Sequence, residues 1–275
     1  MRQWIADKGY LTYAINNGDT DYLQMAYYLA CSIKETQTIN NISLATDSAT
    51  HAQLTDKQRE IFDEVIIISP PTQTGKNFRH EATAWSITPY KRTIKVEADM
   101  LFTAKCDHWW EILDQKFICF TTDVKTYWGD TVTNRYHRKL FDDNQLPNVY
   151  TALYYFQYSK ESQQFFTLVN SIYKNWDWFK TEYLKNCRYD HPVSDEVFAI
   201  AAKIYGEELC TIPGLLSFVH MKNRLQDVPP DEPWWEFVSF EKNQHYKNLG
   251  FFRQTVPLHY HNKKFVKVLE QYYDQ

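Results

Sequence analysis

The run Glu64-Val65-Ile66-Ile67-Ile68-Ser69 constrains what this chain can fold into more than any other stretch. Four consecutive β-branched residues are too few for a helix and leave no polar face. They therefore predict a central strand of a parallel sheet covered on both sides. A parallel sheet needs crossover connections, and the neighbouring sequence supplies them. Tyr10–Ile15 reads as a strand stopped by the turn residues Asn16-Asn17-Gly18-Asp19. From a cap at Asp19/Thr20 to Lys34, residues Tyr22, Met25, Ala26, Leu29, Ala30 and Ile33 recur at helical spacing. Ile42–Asp47 is a second strand, and Thr55–Asp63 a helix opened by a Thr55-x-x-Gln58 capping box. Thr93–Val96 is a further strand. Consecutive strand–helix units of this kind predict a three-layer α/β domain with a mixed, mainly parallel central sheet, its ligand lying beyond the carboxyl ends of the strands.

The second half departs from that rhythm. It predicts a short helix over Asp107–Leu113, strands over Phe117–Thr122 and Ala152–Phe156, and a long helix capped by Ser159 and running through Phe179. Ser194 caps a helix from Asp195 to Tyr205 that closes at Gly206. A strand over Leu215–His220 and a helical C-terminal extension near Phe265–Tyr273 follow, with a stiff polyproline-like loop over Asp227–Pro233 between them. Only seven Gly among 275 residues argue against a Gly-rich phosphate loop, and the net charge of −4 gives no global signature of a nucleic-acid binder. Five scattered Cys without a C-x-x-C pair predict neither a disulfide framework nor a Cys-ligated zinc. The stretch Met1–Lys8 lacks the apolar core of a signal peptide, and no apolar run approaches the roughly 20 residues of a membrane span. A soluble, cytoplasmic protein is expected.

The sharpest chemical signal is Thr93-Ile94-Lys95-Val96-Glu97-Ala98-Asp99-Met100-Leu101, a strand whose end presents two acids separated by one small residue. Two acids so placed either repel until a hard cation such as Mg²⁺ or Mn²⁺ neutralises them, or stand solvated at a strand end. The longer stretch Trp85–Leu101 resembles GT-A glycosyltransferases, above all the glycogenin-like family 8. There a Trp-Leu-Thr-x-Tyr-type approach leads into Asp-Ala-Asp-Met. Tyr10–Asn17 is similar to that family's first strand and Tyr22–Lys34 to its following helix, so the resemblance covers roughly the first 125 residues. Glu97 stands where the family usually has Asp.

The resemblance implies a GT-A-like catalytic domain over residues 1–222, with a nucleotide-sugar half (1–125) and an acceptor half (126–222), and an extension over 223–275 packed on it. It implies Mn²⁺ or Mg²⁺ as cofactor and a nucleotide-diphosphate sugar, UDP-sugar, as donor. Glu97, Asp99 and His220 are then metal ligands, His220 lying in Phe218-Val219-His220-Met221-Lys222. Considered alone, His220 reads as a hydrogen-bonded strand-end histidine, and only its combination with Asp99 sets the ligand reading level with that one. Ala14, Asn16, Tyr22, Asp47, Lys91, Glu97 and Lys222 would contact the donor. Asp195 and Glu196 would serve as catalytic acids facing the sugar, although acids in a first helical turn also stabilise the macrodipole whatever the function.

Other features carry less. His259-Tyr260-His261 has no third ligand near it in the sequence and reads as an aromatic-rich surface strand. Gln73-Thr74-Gly75-Lys76 lacks the first Gly of a Walker loop, and Trp109-Trp110 and Trp234-Trp235 read as core or lid packing. Lys125, Arg135, Arg138 and Lys139, interleaved with Tyr127, Trp128, Tyr136 and His137, form either a surface that tracks phosphates and stacks a base or a solvated face. The Gly-poor layout resembles the phage-encoded branch of these enzymes, which implies a hydroxymethylated pyrimidine in phage DNA as acceptor. A glycan or protein acceptor is the alternative within the same class. A non-catalytic carbohydrate- or partner-binding α/β domain is the alternative outside it.

Overall fold

The computed structural model describes residues 2–69, 78–122, 124–125, 135–188, 190–221, 240–242, 247–249 and 252–274. The first half runs β1 (Ala6–Tyr13), α1 (Tyr22–Thr36), β2 (Ile42–Thr46), α2 (Ser48–His51), α3 (Asp56–Ile61), β3 (Glu64–Ile67), a 3-10 turn (Phe78–Thr83), α4 (Ala84–Ile87), β4 (Tyr90–Glu97), β5 (Met100–Leu101), α5 (His108–Leu113) and β6 (Ile118–Thr121). There follow α6 (Arg135–Asn144), β7 (Tyr150–Gln157), α7 (Lys160–Lys174), α8 (Trp176–Tyr183), α9 (Ser194–Tyr205), α10 (Glu207–Cys210) and β8 (Val219–His220). The last elements are β9 (Phe240–Lys242), β10 (Lys247–Leu249), β11 (Phe252–Gln254), β12 (Leu258–His259), a second 3-10 turn (Lys263–Phe265) and α11 (Val266–Tyr273).

Six strands form the main sheet in the order β3-β2-β1-β4-β7-β6. β3, β2, β1 and β4 are parallel neighbours, and β7 runs antiparallel to both β4 and β6, so the sheet is mixed as the strand–helix pattern predicts. The apolar run at 65–68 does not form a central strand. β3 is an edge strand, and Ile67 is 54% exposed. An all-apolar run reports a parallel sheet; it does not report how many neighbours its strand acquires.

Strand alternation sorts the core into two layers. Tyr10, Leu44, Ile94, Val96 and Tyr155 pack with α1 on one face, while Leu11, Ala45, Phe120, Tyr154 and Phe156 pack with α7 and α9 on the other. Gly9 allows the close approach of Tyr90, because a Cβ there would lie 2.5 Å from the ring. The Tyr90 hydroxyl in turn meets Ser43 Oγ at 2.7 Å across the sheet.

Local signals explain most boundaries. The Thr55/Gln58 capping box is present at α3, and Gly206 closes α9 at φ 110°. Four local expectations change. α1 is capped by Asp21, which accepts from the Gln24 N–H, rather than by Asp19 or Thr20. The helix predicted through Phe179 breaks at Asn175 into α7 and α8. Ser194 is the first residue of α9 rather than its cap, and its hydroxyl accepts from Tyr173 instead. Of the strand predicted over 215–220, Val219–His220 forms.

Two further sheets are present among the described residues: β11-β10-β9 and β5-β12-β8. In the second, β12 pairs antiparallel with β5 and parallel with β8. α11 is tied to α1 by Tyr28, whose hydroxyl donates to Asp274 at 2.6 Å and whose ring stacks on Tyr273. Among the described residues no helix is long and apolar enough to cross a membrane. The segments Gln73–Lys76, Asp227–Pro233 and Trp234-Trp235, with Lys222, Tyr127 and Trp128, lie outside the described residues.

Candidate active site

The carboxyl end of β4 delivers Glu97, the turn into β5 delivers Asp99, and β12, wedged against β5, delivers His259 opposite Met100. One ligand atom from each of these three residues lies within 4.8 Å of the others. His259 Nε2 sits between the acids, 3.2 Å from Asp99 Oδ2 and 3.5 Å from Glu97 Oε2. Lys263, four residues further on, also donates to Asp99 Oδ2, and its ammonium lies 5.1 Å from the centre of the Tyr22 ring. Burial by itself would push the Asp99 carboxyl up, but His259 and Lys263 outweigh it and hold Asp99 well below the usual carboxylate range. Burial would likewise lower the His259 imidazole, and the acids, Asp99 first, raise it instead.

His259-Tyr260-His261 is therefore not a surface strand: His259 and Tyr260 are buried, and the partners missing nearby in the sequence are Glu97 and Asp99, far earlier in the chain and adjacent in space. His220 lies beside His259 on β8, opposite it in register, with ring centroids 4.9 Å apart. Two neighbouring parallel strands thus each bring a histidine to the same edge. Within the described residues it is His259 that closes the group with both acids. His261 is the third ring of this cluster, 5.4 Å from His220 and 5.7 Å from His259, on a backbone with φ 54°.

Behind Glu97 lies a buried ionic network that sequence reading passed over. Lys95, 1% exposed, points to the same face as Glu97 and donates to Glu81 and to the Thr151 carbonyl, the latter at 2.8 Å. Its ammonium is 3.9 Å from Glu97 Oε1. Burial pulls the Lys95 ammonium down, and Glu81 with Glu97 more than restores it; burial likewise pushes the Glu81 carboxyl up, with Lys95 opposing. Thr151 continues the chain of contacts, giving its N–H (2.9 Å) and hydroxyl (2.8 Å) to Asp195 Oδ1. Asp195 Oδ2 accepts from Arg138 Nη2 at 2.9 Å.

Other residues expected at the site have structural contacts of their own. Asp195 clamps the start of α9 to β7, and Glu196 beside it is fully buried. Arg138 is no surface cation: it is buried, donates to the Val149 carbonyl at 2.8 Å, and stacks 3.4 Å over the Tyr150 ring. Lys139 on α6 is exposed, Lys125 bridges to Val219 beside His220, and the Arg135 side chain lies outside the described residues, as does Lys222. Lys91 is at the amino end of β4, six residues or roughly 20 Å from Glu97. It thus lies at the opposite end of the strand from Glu97. Asp47 caps α2 by accepting from the Thr50 N–H at 2.8 Å. The Asn16 side chain is engaged locally with Leu23, Asp21 and Gln53, and Ala14 is buried at the end of β1.

No family model matches the sequence, and no curated protein does. Among solved structures the chain is similar to the galactosyltransferase LgtC in complex with donor and acceptor sugar analogs, with a TM-score of 0.52 and 11% identity over 96% of this chain and 95% of that one. It is also similar to the apo form of mouse xyloside xylosyltransferase 1, with a TM-score of 0.50 and 12% identity over 75% of this chain and 84% of that one. The fold is that of a GT-A-type glycosyltransferase.

Proposed function

We propose that this chain is a metal-dependent glycosyltransferase that moves a hexosyl or pentosyl group from a nucleotide-diphosphate sugar, UDP-sugar, to an acceptor hydroxyl. The observation that carries the reading is the convergence of Glu97, Asp99 and His259 within 4.8 Å at the carboxyl edge of a GT-A-type sheet. The donor set fits a divalent ion. Two carboxylate oxygens and one imidazole nitrogen suit Mn²⁺, and the acids already draw His259 and Lys263 into the space between and beside them. Glu97, Asp99 and His259 would hold such an ion, which would supply positive charge against the diphosphate leaving group.

The chain's own residues account for the rest. Lys263, on the more open side of Asp99, offers the ammonium that the sequence had assigned to Lys222. Tyr22 gives that ammonium an aromatic face to rest on. Asp195, committed to Thr151 and Arg138, holds α9 in place and is not assigned a proton transfer. For the acceptor, a hydroxymethylated pyrimidine in DNA and a glycan are the two arms to compare, with Lys125 and Lys139 as the side chains for phosphate contact in the first.

Thermal unfolding with UDP and Mn²⁺, separately and together, tests the reading. Stabilisation should need both, reaching about 2.7 kcal/mol at a hundredfold excess over Kd, and should vanish in Asp99→Ala and His259→Ala. Equal stabilisation by a simple sugar without nucleotide or metal would favour a carbohydrate-binding domain instead.

A further inference from the structure

Glu97 carries a longer side chain than the aspartate its position resembles, and so one more rotatable bond to fix before it can serve as a ligand. Its two oxygens are claimed from opposite directions: Oε1 faces the Lys95 ammonium at 3.9 Å, and Oε2 faces His259 Nε2 at 3.5 Å. Lys95 is itself immobilised. It is buried in the middle of β4, opposite Leu11 on one neighbour and Tyr154 on the other, and anchored by Glu81 and the Thr151 carbonyl. A cation on a central strand is costly to bury, and Glu81 alone would neutralise it. Its placement within reach of a second acid is what needs explaining.

We propose that Lys95 is a positioning residue that presets Glu97 for one-oxygen binding of a divalent ion through Oε2. The inference rests on the functional reading above and extends it to a group that touches neither ion nor substrate. At 3.9 Å the ammonium is beyond hydrogen-bond reach of Oε1, but its charge attracts that oxygen and favours the orientation that leaves Oε2 toward His259. Lys95 also ties this orientation, through the Thr151 carbonyl, to the strand that carries the Asp195 clamp.

The difficulty for any test is that Lys95→Met leaves Glu81 buried without its cation, which destabilises the fold whatever Lys95 does for Glu97. The double variant Lys95→Met/Glu81→Gln removes both buried charges and separates the two effects. Mn²⁺ binding in the presence of UDP is followed by the loss of the free-ion electron paramagnetic resonance signal, alongside the melting temperature. Lys95→Met should lower both. The double variant should regain most of the melting temperature yet bind Mn²⁺ roughly 10- to 100-fold more weakly than the unmodified protein, the usual effect of losing an outer partner of a metal ligand. If Lys95→Met does not fold, the double variant decides alone. A double variant that binds Mn²⁺ within twofold of the unmodified protein overturns the role of Lys95. An unmodified protein that binds no Mn²⁺ with UDP overturns instead the functional reading on which it rests.

Discussion

Arg138 separates a structural cation from an acceptor-binding one, and its replacement by Met gives a measurable answer. The guanidinium and the Asp195 carboxylate are 2.9 Å apart, with side-chain exposures of 7% and 18%. At an effective dielectric of about 20 the gross attraction at that separation is about 6 kcal/mol, and desolvation of both groups offsets a large part of it. Removing one partner of a buried pair costs about 3–5 kcal/mol. Asp195 keeps its two bonds from Thr151, so the lower end applies, even though the Val149 carbonyl also loses its donor. At roughly 2–4 °C per kcal/mol for a chain of this size, Arg138→Met should lower the melting temperature by roughly 6–12 °C. Differential scanning calorimetry measures this directly, and Arg138→Met/Asp195→Asn should recover part of the loss. An unchanged melting temperature combined with weakened binding to a polyanion would refute the assignment and return Arg138 to the acceptor surface.

Two further outcomes follow from the same geometry. Gly9→Ala drives a methyl group to 2.5 Å from the buried Tyr90 ring and should cost about 1–3 kcal/mol in chemical denaturation, with the Ser43 hydrogen bond as first casualty; a neutral result would show that Tyr90 can swing aside. The pH dependence has two limbs. His259, raised from its ordinary 6.5, adds stability that is fully present below that value and lost as pH rises through its raised one. Asp99, lowered from 3.8, adds stability present above that value and lost as pH falls through its depressed one. Without metal, these two groups should therefore contribute most between roughly pH 4 and 6.5, while Mn²⁺ affinity, which needs neutral His259, should rise with pH above that window with release of a proton. A titration series showing Mn²⁺ affinity flat across pH would exclude His259 as a ligand.

What could be read from the sequence tracks how far apart the interacting residues lie. The Thr55 capping box spans four residues and is legible in full. The order of β3, β2, β1 and β4 follows from short strand–helix links, but the edge position of β3 depends on which strands pair elsewhere. Glu97 and Asp99 announce themselves by adjacency. Their imidazole partner does not, because Val219-His220 and Leu258-His259 are equivalent as text and only the β5-β12-β8 pairing ranks them. Lys95 did leave a signal, since alternation along β4 puts it on the face of Glu97, between the apolar residues Ile94 and Val96. Arg138 left none: its stretch is basic throughout, and the acid that draws it inward lies 57 residues later.

The wedging of β12 between β5 and β8 also sets a timetable. Lys263 and Asp99 are 164 residues apart, so their contact closes a long loop whose entropy only a finished sheet can offset. At about 5–20 residues per second of synthesis, Glu97 and Asp99 leave the ribosome roughly 10–30 s before the segment that completes their site. Through that interval the nascent chain carries both acids without His259 and Lys263, which are drawn to them in the folded protein. Assembly of the Glu97, Asp99 and His259 group thus comes at the close of folding, and a chain interrupted before Leu258 would keep every strand of the main sheet and still lack that group.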